Sequence, residues 1–171
     1  VTGQFITRMD SDDLMTADKL ELMYQALKSK GNGYVAVGFV HYFSETALGD
    51  GYRKYAAWLN QLTDRASNFS DIYKECTIPS PCWVVALADF DKCGGFEPDV
   101  YPEDYDLSFR VYENKIPIVG IQETLHIWRD HSDRASRNDD TYSNNAFLDL
   151  KVHYFLKLDL NENKKLVLWG A

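Results

Sequence analysis

Long apolar runs are missing from this chain of 171 residues, and no segment could span a bilayer as a helix. No secretory leader pattern is visible either. Cysteine is scarce: Cys76, Cys82 and Cys93 make an odd count with no Cys-x-x-Cys spacing. That excludes a zinc knuckle and a disulfide framework, and leaves free thiols in a reducing cytoplasm as the expectation. Positive charge is in deficit, 18 Lys and Arg against 26 Asp and Glu, for a formal net charge of −8. Such a surface repels nucleic acid and anionic lipid, so neither is expected as a partner. Missing too are a Gly-x-Gly-x-x-Gly turn, a P-loop, a His-Glu-x-x-His helix and a Gly-x-Ser-x-Gly elbow. Hydride transfer, nucleoside triphosphate hydrolysis and serine hydrolysis therefore have no support.

What is present suits one domain with a real core. Hydrophobic residues at 45% and charged residues at 26% are ordinary for a globular protein. Aromatic residues reach 14%, with 11 tyrosines and 4 tryptophans. That richness suits a site that stacks sugars or bases, and equally a well-filled core.

Strand and helix patterns alternate along the chain. Residues 4–7 read as a strand and 14–30 as a helix, with Leu20, Met23, Tyr24 and Leu27 at i, i+3, i+4 and i+7. Gly31-Asn32-Gly33 stops that helix. Residues 34–43 alternate as a strand, Val35, Val37, Phe39 and His41 against Ala36, Gly38, Val40 and Tyr42. A second helix over about 52–66 places Tyr55, Ala56, Leu59 and Leu62 on one stripe. Residues 83–87 form a buried strand by their continuous apolar character. Residues 89–92 make a helical turn ended by Gly94-Gly95, and 103–114 a helix behind Pro102. Two short strands (117–120 and 124–128), a polar loop (129–140), a helix (147–158) and a strand (165–169) follow. The alternation predicts an α/β fold whose central sheet is covered on both faces.

Acidic residues cluster at points where chemistry is expected. Arg8-Met9-Asp10-Ser11-Asp12-Asp13 sets three carboxylates in four residues just past the first strand, where ligands bind in α/β proteins. Mutual repulsion makes such a cluster costly unless water or a cation screens it, and hard cations take oxygen ligands of this kind. By spacing alone it reads equally as an acidic helix start. Tyr101-Pro102-Glu103-Asp104-Tyr105-Asp106 places acids at the positive end of a helix, as plain capping charges or as a general base. Trp128-Arg129-Asp130-His131 could add an imidazole to the early aspartates. Arg129, Arg134 and Arg137 are either phosphate contacts or solvated charges. An EF-hand fails, because Leu14 and Met15 fall where a ligand and the turn glycine belong.

In order and spacing, four motifs closely resemble family 2 glycosyltransferases of the GT-A fold. They are Arg8-Met9-Asp10-Ser11-Asp12-Asp13, Gly94-Gly95-Phe96, Pro102-Glu103-Asp104-Tyr105-Asp106-Leu107 and Trp128-Arg129-Asp130-His131. The resemblance runs from Phe5 to about Leu156. It implies a partial GT-A-type fold, with a mixed central sheet and helices on both faces. It also implies inverting transfer of a sugar from a nucleotide-diphosphate donor to a glycan or polysaccharide hydroxyl. Asp10 and Asp12 match the family's Asp-x-Asp motif, which holds Mn²⁺ or Mg²⁺ on the donor diphosphate. His131 matches a position that joins the metal shell in some members. Asp104 matches the general base, with Glu103 beside it to bind or orient the acceptor. Arg8, Asp13 and Arg129 are expected to contact substrate, and Trp83, Phe96 and Tyr101 to line the acceptor cleft.

Family members begin with a nucleotide-cradling strand and loop and further strand–helix units before the Asp-x-Asp, and that half is absent here. Residues 1–160 are thus expected to be the C-terminal part of a GT-A domain, carrying the metal motif and the acceptor half. Residues 161–171 are expected to start a second, nucleotide-binding-like domain. The fragment alone is expected to bind donor weakly and to be inactive, and a sheet edge left exposed would favour self-association. The expected location is cytoplasmic, at the membrane's inner face in a longer parent. Two other readings stay open: a non-catalytic carbohydrate-binding or assembly module of the same fold, and a nucleotidyltransferase.

Overall fold

The computed structural model describes residues 2–45, 48–100, 102–131, 147–160, 163 and 165–167. In chain order, β1 (Phe5–Ile6) and β2 (Leu14–Met15) flank the acidic turn, and α1 (Lys19–Lys30) leads into β3 (Val35–Phe43). Next come α2 (Asp50–Asp64), a 3₁₀ turn (Asn68–Asp71), β4 (Trp83–Ala86) and α3 (Leu87–Lys92). Then follow α4 (Glu103–Glu113), β5 (Ile118–Arg129) and α5 (Leu148–Tyr154), which runs on as a π-helical turn (Phe155–Asp159).

The five strands form one mixed sheet in the order β1-β4-β3-β5-β2. β3 runs parallel to β5, and the other three pairings are antiparallel. Alternation along β3 sorts the core into two layers. Ala36, Val40 and Tyr42 pack against Met23 and Leu27 of α1 and Ala56 and Leu59 of α2. Val35 and Val37 point the other way, onto Leu107 and Val111 of α4 and Phe90 of α3. The sheet is therefore covered on both faces, as the alternating pattern predicts. A third cluster ties α4 to α5, with the Phe109 and Tyr154 rings parallel at 4.5 Å. Both sheet edges are strands of two residues, which offer a neighbouring chain little backbone to pair with. No described helix is long and apolar enough to cross a membrane.

Several elements differ from the pattern-based expectation. Leu14 and Met15 leave the expected helix and pair with Ile127 and His126 of β5, and α1 starts only at Lys19. Its buried stripe is Lys19, Met23 and Leu27, while Leu20 and Tyr24 face outward. The two expected strands after residue 117 are one strand, broken in register opposite Gly38–Val40, so the polar Gln122 and Glu123 ride on a bulge. The last helix loosens to a π-turn at Phe155. Residues 165–167 lie in no strand, and the rest of that expected strand lies outside the described residues. The three cysteines are buried and form no disulfide.

Glycine is required where α2 closes onto the sheet. A Cβ on Gly120 would stand 1.9 Å from the Thr63 carbonyl oxygen, whereas one on Gly38 would meet only the Leu125 side chain. Overpacking costs about 1–3 kcal/mol. Gly120→Ala is expected at the top of that range, because a helix backbone must move, and Gly38→Ala near the bottom. Urea unfolding of the two variants checks this, and equal losses would contradict it.

Candidate functional site

Arg8 joins the two acidic motifs. Its Nε donates to Asp10 Oδ1 at 3.1 Å and its Nη1 to Glu103 Oε1 at 2.7 Å, across 95 positions of sequence. The guanidinium also lies 5.9 Å from the centre of the Phe96 ring. Burial acts to weaken its charge, but hydrogen bonds and attraction from Glu103 and Asp10 outweigh that and raise its pKa. The 33% exposure of the Arg8 side chain means solvent partly screens this pairing.

Asp12 and Asp13, although adjacent, face different surroundings. Asp13 turns inward and is buried. Its Oδ2 lies 2.9 Å from His126 Nε2, and its Oδ1 accepts the Arg129 backbone N–H at 2.9 Å. Behind it, the buried Lys19 Nζ donates to the Pro81 carbonyl at 2.6 Å and stands 3.3 Å from His126 Nδ1. An ammonium can only donate, so Nδ1 accepts and Nε2–H donates to Asp13. Burial lowers the Lys19 pKa, opposed by Cys82, Asp13 and Asp10. Asp12 faces outward instead, its Oδ2 2.9 Å from His131 Nε2.

These positions bear on a metal. Asp12 and His131 offer an oxygen and a nitrogen at one point, while Asp10 is turned to Arg8. No group of three metal-ligating side chains forms among the described residues. A pair of protein donors suits Mg²⁺ or Mn²⁺, which commonly take one or two carboxylates and complete their shell with water and substrate phosphate. The residues present fit an open site that other oxygen ligands complete, and not a closed structural site.

Asp104 opens the first turn of α4. Its Oδ1 accepts the Tyr105 N–H at 2.8 Å. Desolvation raises its pKa, the Glu103 charge adds to the rise, and the Tyr105 N–H and Arg8 oppose it. Two residues on, Asp106 points into the core, where Arg110 Nε and Tyr154 Oη both donate to it at 2.7 Å. The acids of this motif therefore divide, Glu103 and Asp104 toward the cleft and Asp106 toward α5.

Asp104, Glu103, Arg8 and Asp10 line one cleft of about 500 Å³. Its other wall is aromatic: Tyr42, Tyr52, Tyr55 and Trp128. Tyr42 and Trp128 are 4.8 Å apart by ring centres, and Tyr52 lies 5.1 Å from Tyr42. The sequence pattern does not mark this wall, because Tyr55 falls on the core stripe of α2 and Tyr52 only opens the helix. The signal available was Tyr52 and Tyr55 at i and i+3 on the helix that follows β3.

Other expected site residues are scattered. Phe96 sits beside Arg8, whereas Trp83 is buried and stacks on Phe90 at 6.1 Å, away from the cleft. Arg129 lies over the Phe43 ring at 5.2 Å and 3.9 Å from Glu45. Tyr101, Arg134 and Arg137 lie outside the described residues.

A family model described as glycosyl transferase family 2 matches residues 1–94, from the acidic turn through β4 and α3. No curated protein matches. A solved structure, S. aureus TarS 1-349 in complex with UDP-GlcNAc, superposes with a TM-score of 0.63 at 15% sequence identity. The match covers 95% of this chain and 45% of the TarS chain. The likeness is one of fold, a mixed sheet with helices of GT-A type, and this chain spans less than half of that neighbour.

Asp13→Ala is expected to cost about 3 kcal/mol, since it strands the buried His126 and removes the acceptor of the Arg129 N–H. Asp13→Asn, which keeps an acceptor oxygen, should cost less. Urea melts of both variants measure the difference, and a neutral Asp13→Ala would contradict the geometry.

Proposed function

The chain belongs to glycosyl transferase family 2, and on that premise we propose that it supplies the metal-binding and acceptor half of an inverting sugar-transfer site. The donor is a nucleotide-diphosphate sugar and the acceptor a carbohydrate hydroxyl. The observation that carries this reading is the Arg8 bridge, which brings the Asp10 motif and the Glu103-Asp104 motif to one cleft. The TarS structure, of the same fold, holds UDP-GlcNAc, which supports a nucleotide sugar as donor.

In this reading Asp104 accepts the proton of the acceptor hydroxyl as its oxygen attacks the anomeric carbon from the side opposite the diphosphate. The new glycosidic bond forms as the bond to the diphosphate oxygen breaks, and the electron pair leaves with the diphosphate. Desolvation and the neighbouring Glu103 make Asp104 a stronger base than an exposed aspartate. Glu103, held by Arg8, orients the acceptor. Asp12 and His131, with Asp10 once it turns from Arg8, would hold Mn²⁺ or Mg²⁺. The cation, when bound, supplies Lewis-acid stabilisation of the leaving diphosphate. Asp13 acts behind them as a positioning residue.

Replacing Asp104 by Asn in the protein that carries this chain tests the reading. Turnover should fall by roughly 10²–10⁴-fold, the usual worth of a general base, with donor affinity unchanged. Undiminished turnover would leave a binding module of the same fold. Stability should move the opposite way. The raised folded-state pKa favours protonated Asp104, so its ionised form costs stability above that pKa, and the cost vanishes below the unfolded value of about 3.9. Asp104→Asn should therefore melt higher than the parent at pH 7 and at the same temperature near pH 3.

Activity should also rise with pH along a limb set higher than that of an exposed aspartate. Arg8→Met removes a cation that lowers the Asp104 pKa, so it should move that limb to higher pH. A pH–rate profile of kcat/KM reads both, and a limb unmoved by Arg8→Met would contradict the assignment. Chelation with EDTA should abolish turnover, and added Mn²⁺ or Mg²⁺ should restore it.

A further inference from the structure

Beside Asp104 the cleft continues into a second hollow of about 340 Å³, closed by Glu75, Pro102, Tyr105 and Phe147. Tyr52, Tyr55, Cys76 and Asp104 line both hollows, so the two form one trough with the Asp104 carboxylate at the junction. Tyr52 and Tyr55 are half-buried on successive turns of α2 and line both hollows. Behind them stand buried aromatic rings: Tyr42 lies 5.1 Å from Tyr52, and Trp128 stacks on Tyr55 at 6.4 Å. The Tyr55 hydroxyl donates to the Cys76 carbonyl at 3.2 Å, which fixes that ring further. The two tyrosines are therefore rigid apolar faces with polar edges.

The charges of the trough select among ligands. Among the described lining residues the cation is Arg8, already bonded to Asp10 and Glu103. Glu75, Glu103 and Asp104 otherwise set the sign. Lys151 lies over Tyr105 and Phe147 at 5.7 and 6.0 Å, but its ammonium donates to the Lys74 carbonyl and it lines neither hollow. An anionic ligand in the second hollow would meet like charge, which discriminates against it. Hydroxyl groups would find carboxylate acceptors, and the C–H face of a pyranose would find the tyrosine rings.

We propose that this trough takes a neutral oligosaccharide acceptor, with rings in both hollows, stacked on Tyr52 and Tyr55 and with its reacting hydroxyl beside Asp104. The proposal rests on the sugar-transfer reading above and adds the chemical class and minimum length of the acceptor. It makes Tyr52 and Tyr55 specificity-determining residues that touch acceptor and not donor.

Calorimetric titration of the carrying protein with cellotetraose, chitotetraose, maltotetraose and mannotetraose, their disaccharides, and tetragalacturonate tests it without any substitution. At least one neutral tetrasaccharide should bind at least tenfold more tightly than its disaccharide and than tetragalacturonate. Equal binding of di- and tetrasaccharide, preference for tetragalacturonate, or no neutral binding would overturn it. Tyr52→Leu and Tyr55→Leu should each weaken the tetrasaccharide roughly tenfold, while Tyr52→Phe and Tyr55→Phe stay close to the parent and UDP-sugar affinity is unchanged. Phe variants as weak as the Leu variants would overturn stacking. If turnover depends on Asp104 but no neutral sugar binds, this proposal fails and the transfer reading stands. If Asp104→Asn retains turnover, the transfer reading fails.

Discussion

Asp13 accepts from His126 and from the backbone of Arg129 in a place that water does not reach. A carboxylate is kept there only if both oxygens are satisfied and a cation is close, and Lys19, itself buried, lies on the far side of His126. The contact pins the turn after β1 to the end of β5, two segments more than a hundred positions apart. Asp12 and His131 extend from the two pinned ends, so their meeting at 2.9 Å follows from the buried contact behind them. The β2–β5 pairing does the same from the backbone side, with Leu14 and Met15 opposite Ile127 and His126. The outward placement of Asp12 and His131 thus depends on an inward hydrogen-bonded contact.

The bulges in β5 serve the same end. Val35 to Gly38 pair with residues 118–121 in simple register, and Val40 to Phe43 pair with 126–129 after a shift. Extra residues in one strand change which side chains face which layer. Leu125 is thereby delivered to the α1/α2 core, and His126 faces Lys19 and Asp13. The polar pair Gln122-Glu123, which breaks the apolar pattern, rides where the register shifts.

Legibility from sequence follows the same physics. β3 was readable because its two faces alternate cleanly, and α4 because Tyr105, Leu107 and Val111 mark its buried side. α1 starts later than expected: Leu14 and Met15 stand off the Leu20-Met23-Tyr24-Leu27 stripe and pair with β5, and the residue that opens the true stripe is a lysine. No periodicity rule nominates a buried lysine, since its burial is decided by partners distant in sequence. The acidic motifs were legible as motifs, but their division into inward and outward carboxylates was not. That Asp13 is structural and Asp12 exposed depends on His126 and His131, which sequence spacing cannot rank. Tyr55 reads as part of a core stripe with Ala56, Leu59 and Leu62, because an aromatic wall behind a cleft has the same spacing as a core.

The division within α4 shows how one helix start can hold acids in opposite surroundings. Glu103, Asp104 and Asp106 all lie in the first turn, where the helix dipole favours negative charge. Asp106 receives Arg110 and Tyr154, a complete set of donors that joins α4 to α5. Glu103 receives Arg8. Among the described residues only backbone donors reach Asp104, beside the charge of Glu103 and in a desolvated wall, so its proton is held more tightly than that of an exposed aspartate. The same surroundings that make its ionised form unfavourable for stability make it a better acceptor for a hydroxyl proton. Asp106, two residues away, shows the opposite case, a carboxylate whose donors hold it in the core.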